Sequence, residues 1–458
     1  MTIMKNKFLF PLILFLSFSV QANSVVSTEN MPNTNIDFWQ EQFKNNKDLT
    51  EKGLNLAIQQ RDFNLINTFL SLYLTFPKAD QFLVLFAESL LAQNEQNYIK
   101  SINLLRRILA INPKLNPVRL ELAKALFLNQ QNNEAQAQFE LVKSDNLPPA
   151  LEQLIDLYLK AIQRRNRWYS QFNAYYTQTD NVNNVSSDIN IGNTGFRKNP
   201  SMLPQSAHGI AFSNNIGKDF NLISTHYLAL GNYLNGKYYW DNHDYTDIQD
   251  RLNLGYKYKN AVQQLAILPF YQWRWVTNKR YQQSYGISLA WSHWLNNHFQ
   301  LSNTLEYAKN KYSQTKILDG NSKSISSTLF WLPKSTQFIY IGFDALWENT
   351  QEKQYSHHTH SLRLGWKQEW KLGISSQINF SISKRKYHDQ AVLGGILPLN
   401  KTRKDHIYQA NLTLWKRDWQ WWNITPKLQF NWKQQVSNIP SMYSYTDKNI
   451  NLLFEKQF

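Results

Sequence analysis

The chain has 458 residues, which is enough for two or three domains of average size. Only 18% of the residues are charged and the formal net charge is +16, so an acidic disordered scaffold is excluded. Cysteine is absent from all 458 positions, which excludes a disulfide framework, a thiolate metal site and a cysteine nucleophile.

The first 22 residues have the pattern of a cleaved secretory signal. Lys5 and Lys7 precede an apolar run from Phe8 to Val20, and Val20-Gln21-Ala22 fits a signal peptidase site. An uncleaved anchor helix is the alternative, but about 13 apolar residues are too few to cross ~30 Å of hydrocarbon. We predict a signal peptide at residues 1–22. No long apolar run follows, so any membrane residence of the mature chain has to use β-strands.

In the remaining chain, the net charge and the tryptophan content both change near Arg167. Residues 23–166 hold 15 basic and 15 acidic side chains, which leaves a net charge of +14 for residues 167–458. The same C-terminal part holds 15 of the 16 tryptophans. Two domains in different solvents are implied, a helical domain at 23–166 and a second domain at 167–458.

The first domain is predicted to be helical and repetitive. Apolar residues recur at spacings of three and four, and prolines follow one another at intervals of about 35 residues, at Pro77, Pro113 and Pro148. Three pairs of apolar or small residues are each 34 positions apart: Ser101 and Ala135, Leu105 and Phe139, and Ile108 and Val142. This pattern resembles the tetratricopeptide repeat.

Such repeats leave a concave face that can bind a peptide or protein. In the clearer repeat, the first helix offers Leu120, Lys124 and Phe127 to that groove. We take these three residues as candidates for contact with a client protein. A rigid spacer without a ligand is the alternative.

Beyond Trp168 the hydrophobic period changes from 3.6 to 2, as in the apolar alternation from Leu372 to Ile382. We predict an antiparallel transmembrane β-barrel of 14 strands, because every second connection is a tight turn and most of the others are long. The tight turns are predicted at Lys218-Asp219, Lys259-Asn260, Asn296-Asn297, Pro333-Lys334, Lys371-Leu372 and Arg417-Asp418. Long loops are predicted at 179–204, 234–244, 313–320, 387–404 and 437–445.

Tryptophans near the tight turns predict an aromatic girdle at the periplasmic interface of an outer membrane. These residues are Trp294, Trp331, Trp370, Trp415, Trp419, Trp421 and Trp422. The final strand has Leu452, Phe454 and Phe458 on one face, interrupted by Lys456, and resembles the C-terminal signal of the barrel-assembly machinery. An even number of strands returns the C-terminus to the side of the helical domain.

The alternation also predicts a basic lumen. If the apolar face contacts lipid, six basic residues point inward: Arg251, Lys257, Arg274, Arg363, Lys367 and Lys427. A wet, positive channel would favour acidic or polar passengers. Pairing with inner acidic groups, or simple solvation, is an equally good explanation of these residues.

The sequence offers little evidence of catalysis. His357, His358 and His360 form the one histidine cluster, which could bind zinc or haem iron, although an exposed polar loop is the better interpretation. Ser292 and His293 lie on opposite faces of a strand, and Ser224 with His226 is a pair that a serine-rich chain produces by chance. We therefore expect no enzyme, no metal, no cofactor and no nucleic-acid partner.

The whole arrangement resembles the surface lipoprotein assembly modulators, or Slam family, the outer-membrane component of type XI secretion. The most specific segment runs from Trp168-Tyr169 to Tyr176-Thr177-Gln178-Thr179-Asp180-Asn181-Val182-Asn183-Asn184. It is similar to the Asp-x-Asn-x-Asn opening of that family's barrel domain, with Asp180-Asn181-Val182-Asn183 offset by one position.

The resemblance implies a translocon that delivers client proteins from the periplasm to the surface or the medium. Clients of the family are surface lipoproteins or secreted haem-binding proteins called hemophilins. The implied partners are the client, the barrel-assembly machinery, periplasmic chaperones and outer-membrane lipid. An exopolysaccharide export channel and a selective porin with a helical scaffold are the alternatives.

Overall fold

The computed structural model describes residues 43–145 and 147–457. The predicted signal peptide at residues 1–22 and the terminal Phe458 lie outside the described residues. The chain divides into two compact units, which meet in sequence between Ala79 and Asp80. None of the helices in the described ranges is long and apolar enough to cross a membrane.

The described part of the first unit is a helical hairpin of α1 (Lys47–Gln60) and α2 (Phe63–Tyr73). Asn46 caps α1 by accepting from the Leu49 amide, and Asp62 caps α2 in the same way. The two helices bury Leu54, Ile66 and Tyr73 completely.

The second unit begins with five helices whose buried faces follow the predicted repeat. They are α3 (Gln81–Asn94), α4 (Tyr98–Ile111), α5 (Asn116–Leu128), α6 (Asn132–Lys143) and α7 (Pro149–Asn166). All six residues of the three pairs spaced by 34 positions are at most 1% exposed. Prolines start α5 and α7, where the absent amide hydrogen costs no helical bond. The 34-residue repeat is therefore built as predicted.

After α7, fourteen antiparallel strands close into a barrel, which confirms the predicted fold class and strand number. Their bounds are β1 Tyr169–Thr179, β2 Ala207–Ile223, β3 His226–Tyr239, β4 Asp247–Lys259, β5 Gln263–Val276, β6 Lys279–Trp294, β7 Phe299–Tyr312, β8 Gly320–Lys334, β9 Gln337–Thr350, β10 His357–Glu369, β11 Ile374–Leu393, β12 Leu397–Lys416, β13 Ile424–Ser437 and β14 Tyr445–Gln457.

The barrel closes where β1 meets β14, and this seam is short. The β1–β14 register runs only from Gln171 opposite Gln457 to Tyr175 opposite Leu453. On its other side, β1 pairs with β2 along its whole length, from Tyr169 to Thr179. The seam is thus paired over the half that lies nearer the helices.

The outer face of the barrel is apolar. On β4, Leu252, Leu254 and Tyr256 are exposed on the outside, while Arg251 and Lys257 occupy the alternate, inner positions. This outward apolar and inward polar alternation is that of a membrane barrel.

Four predicted connections are wrong. The turn predicted at Pro333-Lys334 lies inside β8, and the chain turns at Ser335-Thr336 instead. The turn predicted at Lys218-Asp219 lies inside β2, which continues to a turn at Ser224-Thr225; Asp219 instead points inward to Lys257 and Lys259. The loop predicted at 387–404 is mostly strand, because β11 and β12 extend into a long hairpin. Likewise β3 continues to Tyr239, into the loop predicted from 234.

The long loops pack together at the end opposite the tight turns. Ile191 from the β1–β2 loop, Ala391 from β11, and Ile439 and Met442 from the β13–β14 connection form one buried cluster. A short helix, α8 (Pro440–Tyr443), lies in that last connection. Two connections at this end are short: Thr277-Asn278 forms a two-residue turn with both φ angles positive, and residues 394–396 join β11 to β12.

Substitution of Phe139 tests how much its packing stabilises the helical core. Its ring is fully buried and stacks on Tyr158 with centroids 4.9 Å apart. Phe139→Ala is expected to destabilise the helices by about 3–5 kcal/mol, because it leaves a cavity in a packed site. Thermal loss of the helical circular dichroism signal and limited proteolysis of the full-length protein measure the effect. Leu141→Ala, at a side chain that is 51% exposed on the same helix, is the matched control.

Candidate functional site

The six basic residues that the apolar–polar alternation predicts to point inward do lie on the inner wall of the barrel. Arg251 of β4 pairs with Glu306 of β7 at 2.8 Å, and its guanidinium lies 3.6 Å from the ring centroid of Phe270 on β5. Because β5 and β6 lie between the paired strands, this contact has to cross the inner face of the sheet. Arg251 is thus an inward residue whose charge is balanced.

Four more of the six have a carboxylate partner on the inner wall. Arg363 makes two bonds to Asp344, of 2.6 and 2.9 Å, and its Nη2 also donates to Ser326 and Thr328. The other three pairs are Lys257 with Asp219 at 2.8 Å, Arg274 with Asp247 at 2.6 Å, and Lys427 with Glu455 at 2.9 Å.

Lys367, the sixth, lies near an aromatic ring. Its ammonium is 5.5 Å from the ring centroid of Trp415, and the ammonium of Lys427 is 4.9 Å from the same centroid. Trp415 is only 6% exposed and faces Lys427 across the strand pair, so it does not belong to the predicted interfacial girdle. Trp415 occupies an inward position in the alternation of its strand. This sequence feature distinguishes it from the tryptophans of the predicted girdle.

The acidic partners are functional-site residues that the sequence reasoning did not select. They occupy inward positions on their strands, and the same period of two that selected the basic residues would have found them. The five are Asp219, Asp247, Glu306, Asp344 and Glu455. Counting both signs on the inner face predicts a mixed lumen with much less positive charge.

A row of asparagines crosses the inner face of four neighbouring strands. Asn379, Asn411, Asn431 and Asn449 stand directly opposite one another from β11 to β14. Their amides are hydrogen-bonded in sequence, at 3.4 Å from Asn379 to Asn411 and 2.8 Å from Asn431 to Asn449, with Asn411 also donating to Asn431. We call these four residues the asparagine row.

Tyr340 of β9 extends the asparagine row by one strand. Its hydroxyl donates to Asn379 at 3.0 Å, across the intervening strand β10. The tyrosine ring passes over Gly365, where a Cβ atom would lie 1.9 Å from a ring carbon. Glycine is required there because any side chain would displace the ring.

The helices of the second unit contact the tight-turn end of the barrel. Tyr227, at the start of β3, is 1% exposed and donates from its hydroxyl to the Gln130 carbonyl. Glu134 of α6 accepts from the Ser224 amide at 2.8 Å, and Ala261 of the β4–β5 turn is buried in the helical core. The helices are therefore anchored to the ends of β2, β3 and β4.

The three candidate client-contact residues lie on α5, but two of them support the helical core. Leu120 and Phe127 are partly buried against it, and the Arg165 guanidinium lies 3.7 Å from the centroid of the Phe127 ring. Burial lowers the pKa of Arg165 to about 10, so it stays protonated at neutral pH. Lys124 pairs with Glu121 one turn earlier on the same helix.

The asparagines of the loop after β1 shape its backbone. Asn181 bonds both the amide and the carbonyl of Val185, at 3.1 and 2.8 Å. Asn183 donates to the Leu203 carbonyl at 2.8 Å and accepts from the Gln205 amide at 3.1 Å. These bonds close the loop on itself, so the segment that carries the family resemblance is a structural motif.

The histidine cluster divides between the two faces of β10. His357 faces Glu348 on the inner side, at 3.8 Å, whereas His358 and His360 occupy outward positions. Within residues 43–145 and 147–457, no three His, Asp or Glu side chains are placed to hold a metal ion. In the C-terminal signal, Leu452 and Phe454 are exposed on the outer face of β14.

The Lys427–Glu455 pair tests the importance of charge pairing inside the wall. Both side chains are less than 10% exposed. Lys427→Met is expected to destabilise the barrel by about 3–5 kcal/mol, because Glu455 would be left buried without its partner. Heating until the SDS-resistant folded band disappears measures the loss. The double variant Lys427→Met/Glu455→Leu should recover much of it, and an equal loss in both variants would contradict this assignment.

Comparison with known proteins matches this architecture. A family model described as surface lipoprotein assembly modifier matches residues 168–458, and the model of its N-terminal TPR repeats matches residues 36–139. The channel DcaP of Acinetobacter baumannii has 7% sequence identity and a TM-score of 0.38, over 64% of this chain and 96% of its own. A likeness at that TM-score supports no statement about function.

Whole-chain relatives agree with the family models. A surface lipoprotein assembly modifier of Pasteurella multocida is 34% identical, covering 96% of this chain and 89% of the relative. Surface lipoprotein assembly modifier 2 of Haemophilus influenzae is 33% identical over 95% and 90%. The hemophilin secretion modulator of Acinetobacter baumannii is 23% identical over 96% and 91%. The chain is an outer-membrane barrel protein that belongs to the surface lipoprotein assembly modifier family.

Proposed function

We propose that this protein is a translocon that delivers client proteins from the periplasm to the cell surface or the medium. The observation that carries the proposal is family membership over the whole barrel together with the repeat domain. The names of the relatives refer to surface lipoproteins and, in one case, to hemophilin. We assign these two classes of client to this chain, as alternatives that experiment separates.

In this proposal the helices lie in the periplasm and receive the client at the tight-turn end. The anchoring of α5 and α6 through Tyr227 and Ser224 supports it, because a receptor held at the barrel mouth passes its cargo over a short distance. Periplasmic chaperones would present the client, and the barrel-assembly machinery would insert the barrel through its C-terminal strand.

The inner wall is suited to an unfolded polypeptide. The asparagine row offers neutral donors and acceptors, and the ion pairs leave little unbalanced charge to retain a passing segment. We propose passage without covalent catalysis. Folding of the client outside would make the transfer irreversible, since no nucleotide is available in the periplasm.

Lys124 is the most suitable of the three groove candidates for a test of client contact. Leu120 and Phe127 pack against the helical core, so their substitution would also disturb folding. Lys124→Gln removes the charge of a side chain that is 17% exposed, keeps an amide donor next to Glu121 and leaves the apolar core intact. Lys114→Gln, in the turn before α5 at an exposed lysine, is the matched control.

Deletion of the gene, followed by quantitative proteomics of the shaved cell surface and the medium, tests the function. One or a few proteins are expected to disappear outside and accumulate in the periplasm. Complementation with Lys124→Gln should restore delivery at least about threefold less well than Lys114→Gln, at equal barrel levels and equal protease resistance of the helices. Unchanged protein profiles would contradict the translocon, and a missing surface glycan or an altered solute flux would indicate the two alternative functions.

The absence of cysteine permits a direct test of orientation. Single cysteines replace Ser313 in the β7–β8 loop and Lys371 in the β10–β11 turn. A membrane-impermeant maleimide should label Ser313→Cys on intact cells and label Lys371→Cys only after the outer membrane is permeabilised. The opposite labelling pattern would overturn the proposed periplasmic location of the helices.

A further inference from the structure

A patch of basic residues covers the outer surface of the barrel at its long-loop end. Two rows of three side chains lie side by side on β10, β11 and β12, in register: His358 opposite Lys386, and Lys386 opposite Lys404; His360 opposite Lys384, and Lys384 opposite His406. We call these six residues the cationic array. Neighbouring strands are about 4.8 Å apart, so the six side chains form one continuous patch.

The cationic array faces outward. The next outward positions towards the middle of the barrel are Leu362, Ile382 and Tyr408, which stand opposite one another in register on the same three strands. The residue between Lys404 and His406 is Asp405, which is 0% exposed. The array therefore begins one step above the apolar belt, at the depth of lipid headgroups.

The three lysine charges of the array are not balanced by the protein. Asp405 is paired with Arg403 at 2.8 Å on the inner side. Across the ranges that the structure describes, none of the six array residues forms an ion pair with a carboxylate. Lys386 and Lys404 are like charges that stand opposite one another, which is destabilising in a sheet, so an external anion would stabilise this arrangement.

Aromatic rings border the array. The His360 ring stacks on Phe343 with centroids 6.2 Å apart, and Trp347 meets the same imidazole edge-on at 6.1 Å. Amphipathic rings favour the headgroup region, and the apolar stems of lysines can lie along a lipid-facing surface. The outer surface of these three strands is therefore apolar towards the middle of the barrel and cationic towards the long-loop end.

We propose that the cationic array is a binding site for the phosphate groups of an anionic glycolipid in the outer leaflet. A phosphorylated lipid fits both halves of the surface, since its phosphates meet the lysines while its acyl chains cover Leu362 and Ile382. A soluble anion would use only the upper half. The array faces the outer leaflet because the long-loop end is outside, which rests on the proposed orientation and is tested separately by cysteine labelling.

The test compares three purified full-length proteins in detergent. They are the wild type, the variant Lys384→Gln/Lys386→Gln/Lys404→Gln, and the control Lys218→Gln/Lys334→Gln/Lys371→Gln, which removes three lysines near the tight-turn end. The probes are lipid A with two phosphates, the same lipid without phosphates, and inorganic phosphate. Native mass spectrometry and a fluorescence titration measure binding, and folding of each variant is checked by its SDS-resistant band.

The wild type and the control are expected to bind bisphosphorylated lipid A with equal affinity, and the array variant at least about tenfold more weakly. Higher salt should weaken wild-type binding. Equal affinity of the array variant and the wild type would overturn the site. Equal binding of the dephosphorylated lipid would show that acyl contacts alone are used, and saturable binding of inorganic phosphate at the same concentrations would indicate a soluble-anion site; both results contradict the proposal.

Discussion

The structure depends on one constraint: in hydrocarbon, every backbone amide and carbonyl needs a partner within the protein. A closed antiparallel sheet meets this requirement, and it also sorts side chains, because successive residues of a strand face opposite sides. Leu252 and Leu254 must then contact lipid, and Arg251 and Asn253 must face the lumen. The chemistry of the wall follows from this sorting rather than from any single motif.

The inner wall combines ion pairs that link strands with uncharged amide side chains. Arginines are held by carboxylates on nearby strands, and some of these pairs, such as Arg251 with Glu306, join strands that are not neighbours. Between such pairs the asparagine row supplies amides that bond mainly to one another. A wall of this kind resists deformation while it presents few strong binding positions to a polypeptide. The helices of the second unit contact one end of the barrel, where Tyr227 and Glu134 fix them to the turns.

Periodicity predicted most of the fold, since fourteen strands and the 34-residue spacing of buried positions are both repeated patterns. Turns predicted from the polarity of a few neighbouring residues were less reliable. Lys218-Asp219 has turn-forming polarity, yet Asp219 is an inner partner of two lysines from β4, a contact invisible in a linear reading. The tryptophans near the turns were assigned by proximity, and Trp415 shows that facing matters more than distance from a turn. The acidic partners were missed because only one sign of charge was followed along each strand.

The β1–β14 seam has a consequence for how the barrel forms. Its paired residues Gln171 and Gln457 are 286 positions apart, whereas the other strands pair with their sequence neighbours. Closing the largest loop costs the most chain entropy, and the short register returns few hydrogen bonds for it. Hairpins can assemble in sequence along the sheet, but closure has to wait for the last strand. Closure of the barrel therefore requires the final strand, and a partially made chain exposes two unpaired edges until β14 arrives.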